Sequence, residues 1–530
     1  MARVLVSDTL SEAGLSILKG NSALWVEYAP GLKEDELAAR IPEFDGLVIR
    51  SGSKVTAKVI AAAKKLRVIG RAGIGVDNVD VAAASKHGIV VMNTPTGNAV
   101  TTAEHAITLL LSIARKVPQA TASMKAGKWE KTKFQGRELA GKTLGVLGLG
   151  NIGRIVADRA KGLRMNVIAF DPVVTADRAA QLGVQLVTKE ELFARADAIT
   201  CHTPLNADTK GIVNDASIAT MKDGVLLVNC ARGGIYDEAA LLKGLQSGKL
   251  GGVALDVFVK EPPGDNPLLA HENVVCTPHL GASTDEAQER VALEIAEQVV
   301  AYLTLGTITN AVNVPSVSRE VAAKLAPYAQ LADKLGAFVA QVGGIAPRSI
   351  EVECQGEPAE LGASAVTSSA VAGILSRFLD GPVNQVSAPH LAADRGIAVR
   401  ELKTTTRGAR FSDLVSVRVT GDKGEQLVAE GTLGANKGAH LTRWGDYELS
   451  AELSGHGLVL FNANKPGVIG SIGTILGKRQ LNVSRVQLGL NAKTNEAVSV
   501  WNLDSALGAD VLEEIRHAPF VERALGIKLD

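Results

Sequence analysis

Cysteine is scarce in this chain of 530 residues: it occurs only at Cys201, Cys230, Cys276 and Cys354, and never in a Cys-x-x-Cys pair. Zinc sites and disulfide frameworks depend on closely spaced or numerous cysteines, so neither a metal nor a disulfide framework is indicated. Isolated thiols of this kind are typical of a protein in a reducing compartment. We therefore expect a cytoplasmic protein.

Excess charge and long apolar runs are also missing. The 56 Lys and Arg residues balance the 56 Asp and Glu residues, so the chain has no overall field that would attract nucleic acid or a membrane surface, and neither is an expected partner. No stretch reaches the roughly 18 apolar residues of a membrane-spanning helix. Asp8 and Glu12 interrupt the segment where a signal peptide would have its apolar core.

The residues that are present indicate a packed α/β protein. Apolar residues make up 46% and charged residues 21% of the chain, which differs from the composition of disordered proteins. At roughly 100–200 residues per domain, the length predicts three or four domains. Short apolar runs alternate with helical patterns in two series, from Val4 to Met92 and from Thr143 to Cys276. We predict two Rossmann-like, doubly wound parallel sheets.

Three features predict the domain boundaries. A long amphipathic helix is predicted over residues 99–116, a capping-box sequence beginning at Ser283 predicts a helix to about Leu305, and the polar stretch 310–318 breaks the pattern. The expected domains are 1–98 with 283–310, then 99–282, an α+β unit at 319–452 and a final unit at 455–530. The βαββαβ order of the final unit is ferredoxin-like.

A Gly-x-Gly-x-x-Gly sequence formed by Gly148, Gly150 and Gly153 lies between a predicted strand and a predicted helix. Such glycines permit a tight turn, the approach of backbone amides to a pyrophosphate, and close packing of helix against sheet. Asp171 follows 18 residues after Gly153, where a carboxylate can bind an adenosine ribose and repel a 2′-phosphate. The pattern predicts an NAD site, with a purely structural turn as the alternative.

Three further segments follow predicted strands of the second series, at the edge where open α/β sheets bind ligands. They carry Arg232, Glu261 and His279. Each residue taken alone has a simpler explanation as a solvated loop residue. Their common position at one edge of one sheet makes them candidates for a shared site.

These segments also carry a resemblance to a known family. Residues 73–78, 93–98, 148–154, 202–205, 229–234 and 277–284 resemble motifs of the D-isomer-specific 2-hydroxyacid dehydrogenases. Residues 387–396 and 464–467 resemble the intervening domain and the ACT domain of the long members of that family. The resemblance implies NAD as cofactor and oxidation of D-3-phosphoglycerate to 3-phosphohydroxypyruvate, the entry step to L-serine synthesis.

The resemblance also implies Arg232, Glu261 and His279 as cooperating catalytic residues. Removal of a hydroxyl proton suits an imidazole, which a carboxylate can orient, while a guanidinium fork suits a substrate carboxylate. By the same resemblance, cofactor contacts are expected from Asn151, Ile152, Thr203, Cys230, Ala231, Arg232, Asp256, His279, Gly281 and Ala282.

Substrate contacts are implied for the first domain. The segment with Arg50, Ser51 and Lys54 matches the part of the family that supplies cations for a substrate phosphate, and Gly73 would offer its backbone amide to the substrate carboxylate, which Arg232 also binds. The alternative for Arg50 and Lys54 is an exposed basic loop. Fewer cations would suit an unphosphorylated substrate.

The ACT-like tail implies regulation. The resemblance points to L-serine as an effector bound by Asn462, Asn464 and Asn482, whose amides both donate and accept hydrogen bonds. A purely structural dimerisation module is the alternative. Because the helix at 99–116 and the tail both need apolar partners, we expect a homo-oligomer, either a dimer or a tetramer.

Two other functions stay open at this point. The chain could be a dehydrogenase for glycerate, lactate or 2-hydroxyglutarate, for which Arg50 and Lys54 have no evident task. It could also be a non-catalytic, NAD-sensing binding protein that has kept the fold, although Arg232, Glu261 and His279 are all present.

Overall fold

The chain forms three β-sheets in the computed structural model, which describes residues 1–314, 319–379, 383–406, 410–491 and 493–529. Residues 315–318 of the predicted boundary 310–318 and the last residue of the predicted unit 455–530 lie outside the described residues.

The first sheet has five parallel strands in the order β2-β1-β3-β4-β5. Its elements are β1 (Ala2–Val6), α1 (Glu12–Gly20), β2 (Leu24–Tyr28), α2 (Glu34–Arg40), a 3-10 turn (Ile41–Glu43), β3 (Gly46–Ile49), α3 (Ala57–Ala62), β4 (Val68–Arg71), α4 (Val81–Lys86) and β5 (Val90–Met92). Strands β3 and β5 are buried throughout, because parallel sheets are covered by helices on both faces. The edge strand β2 is partly exposed, and the sequence analysis missed it.

The second sheet has seven parallel strands in the order β12-β11-β10-β9-β6-β7-β8. Its elements are α5 (Ala99–Arg115), α6 (Val117–Lys125), β6 (Thr143–Leu147), α7 (Asn151–Gly162), β7 (Asn166–Phe170), α8 (Ala176–Gln181), β8 (Gln185–Leu186), α9 (Lys189–Arg195), β9 (Ala198–Cys201), α10 (Asp215–Thr220), β10 (Val225–Asn229), α11 (Glu238–Gln246), β11 (Leu250–Leu255), a 3-10 turn (Pro267–Ala270) and β12 (Val274–Cys276). The strand order reverses between β6 and β9, where doubly wound sheets bind dinucleotides. The prediction of two doubly wound sheets is confirmed.

Helix α12 (Asp285–Leu305) returns the chain to the first sheet, where Val291, Ile295 and Val299 join the core around β1 and β4. Its N-cap is Thr284, whose side chain accepts a hydrogen bond from the Ala287 amide. The predicted capping box beginning at Ser283 is therefore wrong by one residue. The Ser283 amide donates to Leu280 O in the preceding turn, so the helix begins one position later.

The third sheet has ten strands in the order β14-β13-β15-β16-β17-β18-β20-β21-β19-β22. Its elements are α13 (Arg319–Gly343), β13 (Pro347–Gln355), α14 (Glu357–Leu375), α15 (Ser387–Asp394), β14 (Ala398–Thr404), β15 (Leu414–Gly421), β16 (Gln426–Leu433), β17 (Ala439–Trp444), β18 (Tyr447–Glu452), β19 (Gly455–Ala463), α16 (Val468–Lys478), β20 (Val483–Asn491), β21 (Glu496–Leu503), α17 (Ala509–Arg516) and β22 (Val521–Leu529). The last four strands and two helices have the predicted ferredoxin-like order. One residue pair, Glu448 with Leu490, joins the two units into one sheet.

The third unit contacts the first sheet through α15. Asn384 caps this helix through the amides of Val386 and Ser387, and its own amide nitrogen donates to Gly88 O at 2.8 Å. Val386 joins the core of the first sheet. The intervening unit is thus attached to the turn that precedes β5.

Helices α13 and α14 pack backbone to backbone. A methyl group added at Gly336 would overlap the carbonyl oxygen of Ala370, and one at Gly373 would overlap that of Asp333. Glycine is required at both positions because the two helix backbones leave no room for a side chain.

This packing predicts the effect of Gly336→Ala. Overpacking of this kind costs roughly 1–3 kcal/mol, so the variant should unfold at a lower temperature when followed by circular dichroism of the full chain. The matched control is Gly473→Ala on α16, where a methyl group meets no atom within 4 Å and should raise stability by up to about 1 kcal/mol. Equal melting temperatures for Gly336→Ala and the parent chain would contradict the packing.

Candidate active site

A cavity of about 810 Å³ opens where the carboxyl edges of the first and second sheets face each other. Most of the residues predicted for cofactor, substrate and catalysis line it. They are Arg50, Ser51, Gly73, Asn151, Ile152, Thr203, Cys230, Ala231, Arg232, Asp256, Glu261, His279, Gly281 and Ala282. Residues from two separate sheets are thus brought to one cavity.

His279 and Glu261 form the centre of this cavity. Glu261 Oε2 lies 2.8 Å from His279 Nδ1, and the other carboxylate oxygen of Glu261 accepts a hydrogen bond from the Phe258 amide at 3.1 Å. The carboxylate therefore fixes both itself and the imidazole ring. Because Nδ1 is bound to Glu261, Nε2 is the nitrogen left to exchange a proton with a ligand.

Arg232 reaches across the cavity from the second sheet to the first. Its Nε donates to Asp77 Oδ2 at 2.8 Å, and its Nη1 donates to Ala231 O at 2.6 Å. A side chain at Gly75 would overlap the guanidinium, so this position requires glycine. The Asp77 contact shows that a carboxylate is readily accepted by this guanidinium.

The loop after β3 is held by hydrogen bonds on both sides. Asp8 Oδ2 accepts from the amides of Arg50 and Ser53 at 2.6 and 3.0 Å. The Asn78 amide donates to the carbonyl oxygens of the same two residues, each at 2.7 Å. Arg50 is therefore presented from a fixed loop, whereas the exposed Lys54 is not among the residues that line the cavity.

Arg71 is a cavity residue that the sequence analysis missed. It stands at the carboxyl end of β4, and its buried Nε has no hydrogen-bond partner among the described residues. Burial, together with the positive charges of Arg232 and Arg50, lowers the pKa of Arg71 to about 10. A buried cation in this situation is stabilised by an anion. Its position at a strand end, two residues before Gly73, was the available signal.

The glycine-rich turn fits a dinucleotide. Gly148 adopts a positive φ of 88°, and a methyl group at Gly153 would overlap Gly148 O. At Gly150 a methyl group would meet no atom within 4 Å, and no side chain caps the first amides of α7. These amides are consequently available to a pyrophosphate, as the sequence motif predicts.

Asp171 fixes the same turn. Its Oδ2 accepts a hydrogen bond from the Leu149 amide at 2.8 Å, and its Oδ1 accepts one from the Val173 amide at 2.9 Å. The carboxylate thus performs the structural task that was the alternative to a ribose contact. The two tasks are compatible, because each carboxylate oxygen has two lone pairs.

Asp256 lies beneath the loop that carries His279. It accepts hydrogen bonds from the amides of Leu280 and Gly281 at 2.7 and 2.8 Å and from Thr277 Oγ1 at 2.5 Å. Burial acts to raise the pKa of this carboxyl, but the hydrogen bonds from His105, Thr277 and Leu280 outweigh it and the pKa is lowered. The ionised carboxylate therefore stabilises the loop.

Two buried groups at the cavity wall are neutral. Burial raises the pKa of the Cys230 thiol well above its usual value, so this thiol is not a nucleophile. Burial also lowers the pKa of His202 to about 3, and its Nδ1 has no hydrogen-bond partner among the described residues. Neither group carries charge at neutral pH.

The three predicted effector residues are not brought together within one chain. Asn462 pairs with Ala497 at one end of the ferredoxin-like unit, and the Asn464 amide lies near Asn495 at the same end. Asn482 precedes β20 at the opposite end, where Val483 pairs with Leu503. A ligand could touch all three residues only between two copies of this unit.

Two searches of the described ranges gave negative results. Within residues 1–314, 319–379, 383–406, 410–491 and 493–529, no group of His, Cys, Asp and Glu side chains is placed to hold a metal ion. In the same ranges no helix has the length and apolar character needed to cross a membrane.

Family models match two parts of the chain. Residues 107–281 match the D-isomer specific 2-hydroxyacid dehydrogenase, NAD binding domain, and residues 324–443 match the D-3-phosphoglycerate dehydrogenase intervening domain.

Full-length relatives and solved structures agree with these matches. D-3-phosphoglycerate dehydrogenase of Archaeoglobus fulgidus is 42% identical over 516 residues, which is 97% of each chain. The Bacillus subtilis protein of the same name is 40% identical and covers 98% of each chain. D-lactate dehydrogenase from Aquifex aeolicus, solved with NAD and lactic acid, is 27% identical, with a TM-score of 0.53 over 59% of this chain and 100% of its own.

The chain belongs to the D-isomer-specific 2-hydroxyacid dehydrogenase family, as its motifs indicated. It is an NAD-dependent oxidoreductase. Within the family, the relatives that match it from end to end are D-3-phosphoglycerate dehydrogenases of archaea and bacteria.

The turn geometry predicts different outcomes for two glycine variants. Gly150→Ala should fold as the parent chain does but bind NADH about tenfold or more weakly, because its methyl group takes the space that the pyrophosphate needs. Gly153→Ala should also lose stability, because its methyl group overlaps Gly148 O. Fluorescence titration with NADH and thermal unfolding measure the two effects. Unchanged NADH affinity of Gly150→Ala would argue against this binding site.

Proposed function

We propose that this enzyme oxidises D-3-phosphoglycerate to 3-phosphohydroxypyruvate with NAD, the first step towards L-serine. The observation that carries the proposal is the His279–Glu261 contact at 2.8 Å, with Arg232 facing the same cavity. This set provides a proton acceptor, the group that orients it and a carboxylate-binding cation. The names of the full-length relatives support the choice of substrate.

The proposed mechanism assigns one task to each residue. His279 Nε2 accepts the proton of the substrate hydroxyl, while Glu261 holds Nδ1 and stabilises the imidazolium that results. Arg232 binds the substrate carboxylate and polarises the carbonyl that forms. Bound NAD supplies the acceptor for the hydride that leaves C2.

Two guanidiniums of the first domain support a phosphorylated substrate. Arg50 and Arg71 both line the cavity, and Arg71 is buried with an unpartnered Nε among the described residues. A phosphate would neutralise this local excess of positive charge. Lactate or glycerate would leave Arg71 without an anion, so these substrates are less suitable.

The remaining assignments belong to the same proposal. The substrate-binding domain comprises 1–98 and 283–310, the NAD-binding domain 99–282, the intervening domain 319–452 and the ACT domain 455–530. Packing of α12 on the first sheet supports the first division. Cofactor contacts follow the residues that line the cavity, together with Gly148, Gly150, Gly153 and Asp171. Four free thiols are compatible with a cytoplasmic location.

Oligomerisation is also part of the proposal. No residue of α6 is buried, and Met124 and Trp129 are 54% and 80% exposed. Exposed apolar side chains of this size suit an interface with a second copy of the chain. The separation of Asn462 from Asn482 within one chain likewise suits an L-serine site formed between two ACT domains.

The assignment of His279 predicts a specific kinetic defect. His279→Ala should lower kcat by about two to four orders of magnitude, because general acid–base catalysis is lost. NADH affinity should change little, which a fluorescence titration checks in parallel. A variant with the parent kcat for D-3-phosphoglycerate would defeat the proposed mechanism.

The assignment of Arg71 predicts a change in substrate preference. Arg71→Met should reduce kcat/KM for D-3-phosphoglycerate by about 100-fold, in keeping with loss of a charged contact, and reduce that for D-glycerate far less. Lys54→Met should have the smaller effect, because Lys54 lies outside the lining of the cavity.

Lys65→Met is the matched control for charge. It removes an exposed cation just before β4 and should leave both substrates unaffected. Equal losses for the phosphorylated and the unphosphorylated substrate in Arg71→Met would contradict the phosphate assignment.

A further inference from the structure

The loop that carries His279 is held from an unexpected side, by the interdomain helix α5. Thr102 Oγ1 on this helix donates to Gly281 O at 2.9 Å. One turn further along, His105 Nε2 lies 3.0 Å from Thr277 Oγ1 and 3.3 Å from Asp256 Oδ1. The His105 side chain is only 18% exposed. Helix α5 thus contacts both ends of the segment 277–281.

The direction of the hydrogen bonds follows from the proton count. Thr277 has a single hydroxyl proton, and the 2.5 Å contact with Asp256 Oδ1 requires that proton because an ionised carboxylate only accepts. Thr277 Oγ1 can therefore only accept from His105. It follows that His105 carries a proton on Nε2 and donates towards Thr277 and Asp256.

The same carboxylate holds the backbone of the catalytic loop. Asp256 accepts from the amides of Leu280 and Gly281, and its main-chain oxygen accepts from the His279 amide at 3.0 Å. His279 itself has a φ of 55°, a left-handed conformation that costs a residue with a side chain on the order of 1–3 kcal/mol. Such a conformation persists only where surrounding contacts impose it.

We propose that His105 is a positioning residue for the reaction, which keeps Thr277 and Asp256 in the arrangement that fixes His279 opposite Glu261. The inference rests on the proposed function for its kinetic consequence. Its structural part, the order of the segment 277–281, does not depend on the identity of the substrate. His105 touches neither substrate nor cofactor in this account and acts only through the loop.

The chemistry of the contact tells which replacements should work. The donor is the distal ring nitrogen, Nε2, and a glutamine side chain places its amide nitrogen at a similar reach. Asparagine is one bond shorter and mimics the position of Nδ1 instead. Leucine fills the space and donates nothing. His105→Gln should therefore restore what His105→Leu and His105→Asn lose.

The experiment compares these three variants in the full-length enzyme. His105→Leu and His105→Asn should lower kcat about 10- to 100-fold, since a displacement near 1 Å of a reacting group has consequences of this size. KM for NAD should change less than about threefold. His105→Gln should recover most of kcat. Thr108→Ala, at an exposed position of α5, is the control and should behave as the parent enzyme.

Hydrogen–deuterium exchange supplies a readout that needs no turnover. Peptides that include Leu280 and Gly281 should exchange faster in His105→Leu and His105→Asn than in the parent chain and in His105→Gln. Loss of kcat to the same degree in all three variants would overturn the inference, as would parent-like kcat and exchange in His105→Leu. If the parent enzyme does not oxidise D-3-phosphoglycerate, the proposed function fails, while the exchange comparison still decides the role of His105.

Discussion

The contact between Glu261 and His279 is the interaction on which the catalytic account depends. A histidine on a flexible loop would sample many orientations, whereas a carboxylate at 2.8 Å from Nδ1 holds the ring and leaves Nε2 for the substrate. The two residues follow different strands, β11 and β12, so their meeting depends on the parallel pairing of those strands. The fold supplies this pairing before any ligand binds.

The second constraint is the facing of two sheets. Parallel strands direct their carboxyl ends to one edge, and the cavity of about 810 Å³ lies where two such edges meet. Arg50 and Arg71 come from the first sheet, and Arg232 comes from the second. Neither sheet alone provides both the cations for a phosphorylated acid and the proton acceptor. Helix α12, which crosses back to the first sheet, keeps the two parts together.

Much of this architecture could be predicted from the sequence, because buried parallel strands read as apolar runs and the turn at Gly148 has a specific pattern. Strands β2 and β8 were missed because they lie at sheet edges and lack such runs. The join between β18 and β20 depends on one residue pair and has no local signal. Arg71 was missed because a cation at a strand end reads as solvated until its burial is known. Asp256 was assigned to the cofactor by resemblance, whereas its oxygens are used by the catalytic loop.

The most direct test of the central claim is the formation of NADH by the purified chain, followed by its near-ultraviolet absorbance with NAD and D-3-phosphoglycerate. The account predicts NADH formation that requires both compounds and proceeds much faster with D-3-phosphoglycerate than with D-glycerate or D-lactate. Absence of NADH in a folded preparation that binds NAD would contradict it, and so would a preference for an unphosphorylated acid.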